Sequence, residues 1–351
     1  MKSSIELLKE VLMKAKEKKA SDIHFIKGMY PSIRINGEIE QLYEFEVLTS
    51  NIIKEMMNPY LEPYDWEELE LEKELDFAFY IEGFNRYRAN LHMEMGNLSL
   101  ALRVLIEVIP DLEELKLPKV VETFINYKKG LILVTGSAGS GKSTTLAALI
   151  EKINKTRSEN IITIEDPVEF IYEKKKSLIR QREVGRDTPS FARALKGALR
   201  QDPNIILVGE LRDLESIEAA LTAAETGHLI FGTLHTNGAV ETINRLIDVF
   251  PESRHQQIRI QLASSLKAVL SQELIKCKSG GRVVATEIMI LNKAISNLII
   301  NGKSNQILSV IETGGKVGMV RMEASLKEYL ENGIITQEEY NKRVNGNEIW
   351  E

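Results

Sequence analysis

The segment GSAGSGKS at residues 136–143 constrains the fold of this 351-residue chain more than any other stretch. It matches the pattern G-x-x-x-x-G-K-[ST], and it lies between an apolar run, LILVT, and an amphipathic stretch, STTLAALIEKI. Backbone N–H groups in such a loop surround phosphate oxygens, and its glycines let the main chain curl and approach closely. The sequence therefore predicts a strand, a phosphate-binding loop and a helix in direct succession.

The residue types in this loop suit a nucleoside triphosphate with its Mg²⁺ ion. Lys142 supplies a point charge to the outer phosphates, and Ser143 supplies a hydroxyl that can ligate Mg²⁺. The positive end of the helix that follows adds a favourable field for an anion. The predicted nucleotide-binding residues are Gly136, Ser137, Ala138, Gly139, Ser140, Gly141, Lys142, Ser143 and Thr144.

Residues 119–351 show the pattern of a parallel sheet covered by helices on both faces, an α/β fold. The runs GLILVTG, NIITIED, NIILVGE and HLIFGTLH are short and nearly all apolar, as strands buried on both faces are. Helical stretches at 142–154, 189–201 and 213–226 separate these runs. Beyond residue 238 the pattern becomes mostly helical, and this interpretation includes the stretch QQIRIQLASSLKAVLSQELI.

Residues 1–108 favour a smaller α+β domain. An amphipathic helix is predicted at the start, and short alternating runs such as SDIHFI, LDFAFYIEG and LSLALRVLI predict half-buried antiparallel strands. The stretch 109–118 contains two prolines and no sustained period, so we place a linker there. The acidic run at 65–76 is interpreted as a solvated face.

Composition excludes several classes of protein. Hydrophobic residues make up 43% and charged residues 27%, which is a globular balance, and the net charge of −6 lacks the dense basic field of a nucleic-acid-binding protein. The single cysteine, Cys277, excludes an intramolecular disulfide framework and a multi-cysteine zinc site. We find no signal peptide and no apolar stretch near the roughly 18 residues of a membrane span, so we expect a cytoplasmic protein.

Acidic residues directly follow two of the predicted parallel strands. Glu165 ends NIITIED, and Glu210 follows NIILVG. The carboxyl ends of parallel strands meet at the edge where open α/β sheets bind ligands. One carboxylate can hold Mg²⁺ through a water molecule, and the other can orient or deprotonate the attacking water. The neighbouring Asp166 and Asp213 could instead be helix N-caps.

Histidines and arginines supply the remaining candidates. His228 and His235 flank the predicted strand in TGHLIFGTLHTN, and His235 is the better placed of the two to sense a γ-phosphate. Arg86, Arg88 and Arg103 lie on predicted strands of the first domain. They are either solubilising surface groups or guanidinium groups that stabilise the transition state on a neighbouring subunit.

Four segments together resemble the nucleotide-site motifs of the secretion and type IV pilus motor ATPases. In chain order they are GSAGSGKSTT, TIEDPVEF, ILVGELRD and TGHLIFGTLHTN, which match that family's Walker A, Asp box, Walker B and His box. Stretches such as ASDIHF, RQREVG and RLIDVFP extend the likeness over residues 4–330. Within the family, the chain most resembles the retraction ATPases of twitching motility.

The resemblance implies a RecA-like P-loop ATPase domain after a PAS-like domain, in a homohexameric ring with ATP and Mg²⁺ at subunit interfaces. It makes Glu165 the water-activating glutamate, Glu210 the Walker B glutamate and His228 the His-box histidine. Arg88 and Arg103 match arginines that reach a neighbour's phosphates. Such a ring would act on an inner-membrane pilus platform protein from the cytoplasmic side, with only indirect membrane contact.

The sequence departs from the retraction ATPases at two places. Ser137 and Ala138 replace the usual proline and threonine of the loop, and we expect little loss because these positions contribute mainly backbone. In AISNLII at 294–300, Ser296 and Ile300 stand where retraction ATPases carry arginine. That segment is linked in the family to retraction, so coupling to the pilus is less firmly implied than ATP hydrolysis.

Three alternatives remain open. A pilus extension or type II secretion ATPase shares the fold, but such relatives usually carry an extra amino-terminal domain and a four-cysteine insert, whereas this chain has only Cys277. A RecA-like ring acting on DNA is disfavoured by the net charge of −6. A nucleotide-binding scaffold without turnover is disfavoured because Lys142, Ser143 and both glutamates are present.

Overall fold

The computed structural model describes residues 3–35, 37–105 and 108–344. Their contacts divide the chain into two compact units. The first unit runs to Val108 and also includes the distant segment Pro167–Ile171, and the second unit holds the remaining residues. The predicted domain boundaries, 1–108, 109–118 and 119–351, stay a prediction.

The first unit is built on a six-stranded sheet whose neighbouring strands are all antiparallel. Its elements are α1 (Ser4–Glu17), β1 (Asp22–Ile26), β2 (Ser32–Ile35), β3 (Glu38–Gln41), α2 (Ser50–Met57), α3 (Pro63–Glu72), β4 (Glu74–Tyr80), β5 (Arg86–Glu94) and β6 (Asn97–Val104). The strand order is β3-β2-β1-β6-β5-β4.

Local sequence explains why the first unit folds this way. Ser3 and Glu6 form a capping box at the start of α1, which satisfies amide groups that the helix itself leaves unpaired. One stripe of α1, including Leu8 and Leu12, is buried in the core. In β1, Ile23 alternates with partly exposed neighbours, so only one face of the sheet lies against this core.

The second unit is built on a seven-stranded sheet that is parallel except for one edge strand. Its elements are β7 (Gly130–Thr135), α4 (Lys142–Thr156), β8 (Asn160–Glu165), β9 (Leu178–Glu183), α5 (Phe191–Ala198), β10 (Ile205–Val208), α6 (Leu214–Glu225), β11 (Leu229–Leu234), α7 (Ala239–Asp248), α8 (Glu252–Ser265), β12 (Leu266–Lys276), β13 (Arg282–Ile290), α9 (Lys293–Ile300), α10 (Ile307–Thr313), α11 (Met322–Glu331) and α12 (Gln337–Val344). The strand order is β13-β12-β7-β11-β10-β8-β9.

The parallel strands are buried on both faces, as their unbroken apolar sequences predict. Along β7, Leu131 and Leu133 join the core that includes α5 and α6. The alternate residues Ile132 and Val134 join the opposite core, which includes α4. Hydrophobic packing on both faces of the sheet therefore fixes the position and orientation of the strand ends.

The helical interpretation of QQIRIQLASSLKAVLSQELI is wrong from Leu266 onward. Helix α8 ends at Ser265, and the chain continues as β12, which pairs in parallel with β7 and antiparallel with β13. A short apolar run fits a buried helix or a buried strand equally well by periodicity alone. Strand β9 was also missed, because LIRQRE is mostly polar and only partly buried at the sheet edge.

Helix length bears on the membrane question. The longest helix among residues 3–35, 37–105 and 108–344 is α4, with 15 residues. No helix in these described ranges is both long and apolar enough to span a bilayer.

Candidate functional site

The site residues of the second unit lie along the carboxyl edge of its sheet. The phosphate loop follows β7, His235 follows β11, Glu210 lies two residues after the end of β10, and Glu165 ends β8. Because these four strands are parallel neighbours, in the order β7-β11-β10-β8, their carboxyl ends face the same way. This is the edge at which open α/β sheets bind ligands.

The phosphate loop takes the curled shape that its glycines permit. Gly139 and Gly141 have φ of +76° and +92°, in the region that L-residues with a side chain rarely adopt. Gly136 has φ of +138°, and a Cβ there would clash with the carbonyl oxygen of Gln272. A larger residue at Gly136 would therefore push the loop away from β12.

Lys142 lies inside this loop. Its side chain is buried, and its Nζ donates hydrogen bonds of 2.8 Å to the Gly136 oxygen and 2.9 Å to the Ser137 oxygen. Ser143 follows on the first turn of α4 and is exposed. The loop thus combines a lysine ammonium, a hydroxyl and a helix N-terminus, which together suit a phosphate chain.

Two side chains hold the carboxylate of Glu165, one on the same strand, β8, and one on the neighbouring strand, β9. The Thr163 hydroxyl donates to Oε1 over 2.6 Å, and Gln181 Nε2 of β9 donates to the same oxygen over 3.3 Å. Gln181 Oε1 in turn accepts a 3.1 Å bond from the Tyr172 amide. Burial, together with the negative charges of Glu165 and Glu151, raises the pKa of the Tyr172 phenol well above its usual value.

Glu210 lies between a guanidinium and an imidazole. Arg212 Nε lies 2.7 Å from Oε2, and His235 Nε2 lies 3.6 Å from Oε1. The Glu210 side chain is only 18% exposed, so these partners restrict its direction. Asp213 is the N-cap of α6, where it accepts from the Ser216 amide, and this confirms the N-cap alternative for that residue.

The structure does not bring His228 to the phosphate loop of its own chain. His228 precedes β11, and its carbonyl accepts from the amide of Gly130 at the start of β7. The six residues of β7 separate that end from the loop, about 20 Å at roughly 3.3 Å per residue. Of the two histidines, His235 is the one beside the site, because the six residues of β11 place them at opposite ends of that strand. A catalytic role for His228 within one chain is therefore not supported.

Arg88 and Arg103 are neighbours on the sheet of the first unit. They lie directly opposite each other in the β5–β6 ladder. Arg103 is 67% exposed, and its Nε donates to Asp22 Oδ1 over 3.0 Å. Both arginines border a small pocket with Asp22 and Asp76. Their contact with a neighbour's nucleotide stays a prediction.

Two further residues, which the sequence motifs do not indicate, also lie near the carboxyl ends of these strands. Gln181 contacts Glu165, as described above, and Gln272 of β12 donates from Nε2 to the Thr145 hydroxyl of α4 over 2.9 Å. The signal for Gln272 was present, because it follows the apolar run LKAVL after one serine, as Glu210 follows NIILV after one glycine. The helical interpretation of that run concealed it.

Comparison with known proteins places this geometry in a family. The family model described as "Type II/IV secretion system protein" matches residues 1–342. The type IV pilus retraction ATPase PilT of Pseudomonas aeruginosa is 45% identical over 94% of this chain and 95% of its own length. A twitching motility protein of Neisseria gonorrhoeae is 44% identical over 91% of this chain and 85% of its own.

Solved structures give the same answer for the fold. The crystal structure of the pilus retraction motor PilT with bound ADP superposes with a TM-score of 0.88, at 45% identity, over 94% of this chain and 95% of that one. The predicted α/β fold, with an amino-terminal domain before a RecA-like ATPase domain, is confirmed. The chain belongs to the type II/IV secretion system protein family.

Proposed function

We propose that this protein is a motor ATPase that hydrolyses ATP to drive retraction of a type IV pilus. The observation that carries the proposal is the phosphate loop, with buried Lys142, at the same carboxyl edge of the sheet as Glu210 and Glu165, which stand at the ends of the neighbouring strands β10 and β8. Positioning and electrostatic stabilisation account for most of catalysis in phosphoryl transfer, and this edge supplies both. The 45% identity to a protein named as a pilus retraction ATPase supports pilus retraction as the process that this hydrolysis drives.

The loop residues 136–144 would bind the phosphates, and Ser143 and Glu210 fit a Mg²⁺ ion. They offer a hydroxyl and a carboxylate, which are the oxygen ligands that Mg²⁺ prefers. Glu210 lies two strands from the loop in the sheet order, so its contact with the ion would run through water. When bound, the ion neutralises charge on the β- and γ-phosphates.

Glu165 would accept a proton from the attacking water or orient it. Its carboxylate is already directed by Thr163 and Gln181, so little reorganisation is needed at the moment of reaction. His235 Nε2 lies 3.6 Å from Glu210 Oε1, so this histidine would couple the presence of the γ-phosphate to the position of the Glu210 carboxylate. Arg88 and Arg103 would stabilise transition-state charge on a neighbouring subunit.

The working assembly would be a homohexamer at the cytoplasmic face of the inner membrane. It would contact the membrane only through a pilus platform protein, and domain motions within the ring would transmit the work of hydrolysis. We propose no nucleic-acid partner, since the chain carries 45 basic against 51 acidic side chains.

A pilus extension or type II secretion role is the second candidate, and the segment at 294–300 favours it. Ser296 on α9 donates to the Ala263 carbonyl of α8 over 3.2 Å, and Ile300 packs partly buried against the core. Where retraction ATPases place two arginines, α9 therefore offers a short hydroxyl and an apolar side chain. A different partner contact could follow from this change.

Three measurements test the proposal and its alternatives. Phosphate release by the purified chain with ATP and Mg²⁺ tests the enzymatic part, and absence of release would refute it. A deletion strain tests the biological part. Surface pili that are present but static support retraction, whereas loss of pili supports extension. Filter binding to DNA across a salt series distinguishes the DNA-acting alternative.

A further inference from the structure

Within the described part of the chain, three buried polar atoms without hydrogen-bond partners lie on two neighbouring strands and in the phosphate loop. They are Thr135 Oγ1 at the end of β7, Ser140 Oγ in the loop and Gln272 Oε1 on β12. None of these residues is more than 2% exposed. Buried polar groups are normally paired, and leaving them unpaired is costly, so such a cluster calls for a functional explanation.

Gln272 contacts both ends of the loop. Its backbone carbonyl lies so close to Gly136 that only glycine fits there, which fixes where the loop begins. Its side-chain Nε2 donates to the Thr145 hydroxyl, which fixes the first turn of α4, where the loop ends. The Thr145 amide also donates to the Gly141 carbonyl over 3.0 Å, so the bond acts next to the last loop residue.

The strand that carries Gln272 is rigidly held. In the β12–β7 ladder the preceding residue, Ser271, is paired with Thr135, and on the other side Gln272 is paired with Thr286 of β13. The Ser271 hydroxyl accepts from the Gly238 amide over 2.9 Å, so β12 also contacts the chain just after His235. Gln272 therefore acts from a fixed support.

We propose that Gln272 is a positioning residue that sets the separation between Gly136 and the first turn of α4, and hence the affinity for nucleotide. This inference rests on the proposed function. The three unpaired atoms fit it, because two are hydroxyls that rotate freely and the third is the other end of the Gln272 amide. A small shift of the loop around a phosphate chain would give them partners.

The test compares nucleotide affinity with stability in Gln272→Leu. Leucine has a similar size, and removal of the unpaired Oε1 offsets the cost of leaving the Thr145 hydroxyl without its donor, so we expect the melting temperature to change little. We expect the Kd for N-methylanthraniloyl-ADP to rise roughly five- to tenfold, as loss of one net hydrogen bond allows. A purely structural residue would show the reverse, with a lower melting temperature and an unchanged Kd.

Partner variants make the result independent of how Gln272→Leu folds. Thr145→Val should raise Kd to a similar extent, Thr145→Ser should keep the parent Kd, and the double variant should be no worse than either single change. Thr286→Val is the matched control, because Thr286 is equally buried and lies opposite Gln272 but on the side away from the loop. It should bind like the parent.

The outcomes separate this inference from the proposed function. If the parent does not bind the labelled ADP, or if Lys142→Ala binds as tightly as the parent, the proposed function fails. If Lys142→Ala loses binding while Gln272→Leu and Thr145→Val bind like the parent, only the role of Gln272 is overturned. If Gln272→Leu does not fold, equal binding by Thr145→Val and Thr145→Ser overturns it.

Discussion

The two sheets present their functional side chains in different ways. In the seven-stranded, mainly parallel sheet they stand at the carboxyl ends of the parallel strands, where both faces are covered and Lys142 is buried. In the six-stranded antiparallel sheet, Arg88 and Arg103 lie between alternating buried residues on the less covered face. Burial fixes the first set within one chain, whereas the second set gains a strong interaction only from something that covers it.

This contrast predicts that changes at the parallel edge affect every subunit by itself, and Lys142→Ala should have the largest effect. Losing the ammonium in the loop should reduce phosphate release to background, because the main charge facing the phosphates is gone. Lys152→Ala on the same helix is the control, since Lys152 pairs with Glu113 at the surface. Normal hydrolysis by Lys142→Ala would break the assignment of the loop.

Glu210→Gln should have the next largest effect. We expect turnover to fall by about 10²–10⁴-fold, the range for a lost catalytic carboxylate, while labelled ADP still binds. Asp213→Asn is the control, because asparagine also caps a helix well and Asp213 serves as the N-cap of α6. Equal slowing by both variants would mean that the effect comes from the α6 region and not from the Glu210 carboxylate.

Arg88→Ala should have a moderate effect that depends on assembly. If the arginine acts on a neighbour, mixing Arg88→Ala with Lys142→Ala subunits should restore part of the activity, since some interfaces then pair two intact halves. Arg34→Ala, another first-unit arginine on β2, is the control and should keep the activity of the parent. No recovery at any mixing ratio would remove the distinction drawn between the two sheets.

Asp22→Asn should have the smallest effect and should depend on pH. Burial raises the pKa of Asp22, but hydrogen bonds from Ser21 and Arg103 and the Arg103 charge outweigh it, so the pKa is lowered from 3.8. The lowered pKa contributes stability above the unfolded-state value, and this is lost as pH falls through the folded-state value. We expect the Asp22→Asn variant to lose less than about 1 kcal/mol of unfolding free energy at pH 7. Urea unfolding should show the gap closing below about pH 4, and a gap that widens there would contradict this assignment.

Much of the second unit was predictable because its signals are local. The loop, the strands before Glu165 and Glu210, and the helices between them each have a continuous pattern of about 5 to 15 residues. The prediction for the first unit was less complete, because it did not include β3, α2 or α3. Strand β3, EIEQ, is a short and largely exposed edge strand with little hydrophobic signal.

The errors in predicted secondary structure have one physical origin. The conformation of these segments depends on strands that are distant in the sequence. LKAVLSQELIK becomes β12 because β7 and β13 flank it, and no local pattern reveals such pairing. The role of His228 stays a prediction for a contact between subunits, because the six residues of β11 keep it away from the phosphate loop of its own chain. Counting six residues at the strand rise would have separated His228 from His235.

The excursion of Pro167–Ile171 into the first unit has a practical consequence for dissecting the protein. The chain departs just after Asp166 and returns at Tyr172, and Val168 and Phe170 are both 5% exposed where they end up. Arg86 Nε donates to the Val168 carbonyl over 2.9 Å, so the excursion is also tied by its backbone. A fragment that begins at residue 109 would expose the apolar side chains of Val168 and Phe170 to solvent. It should therefore aggregate and be poorly soluble.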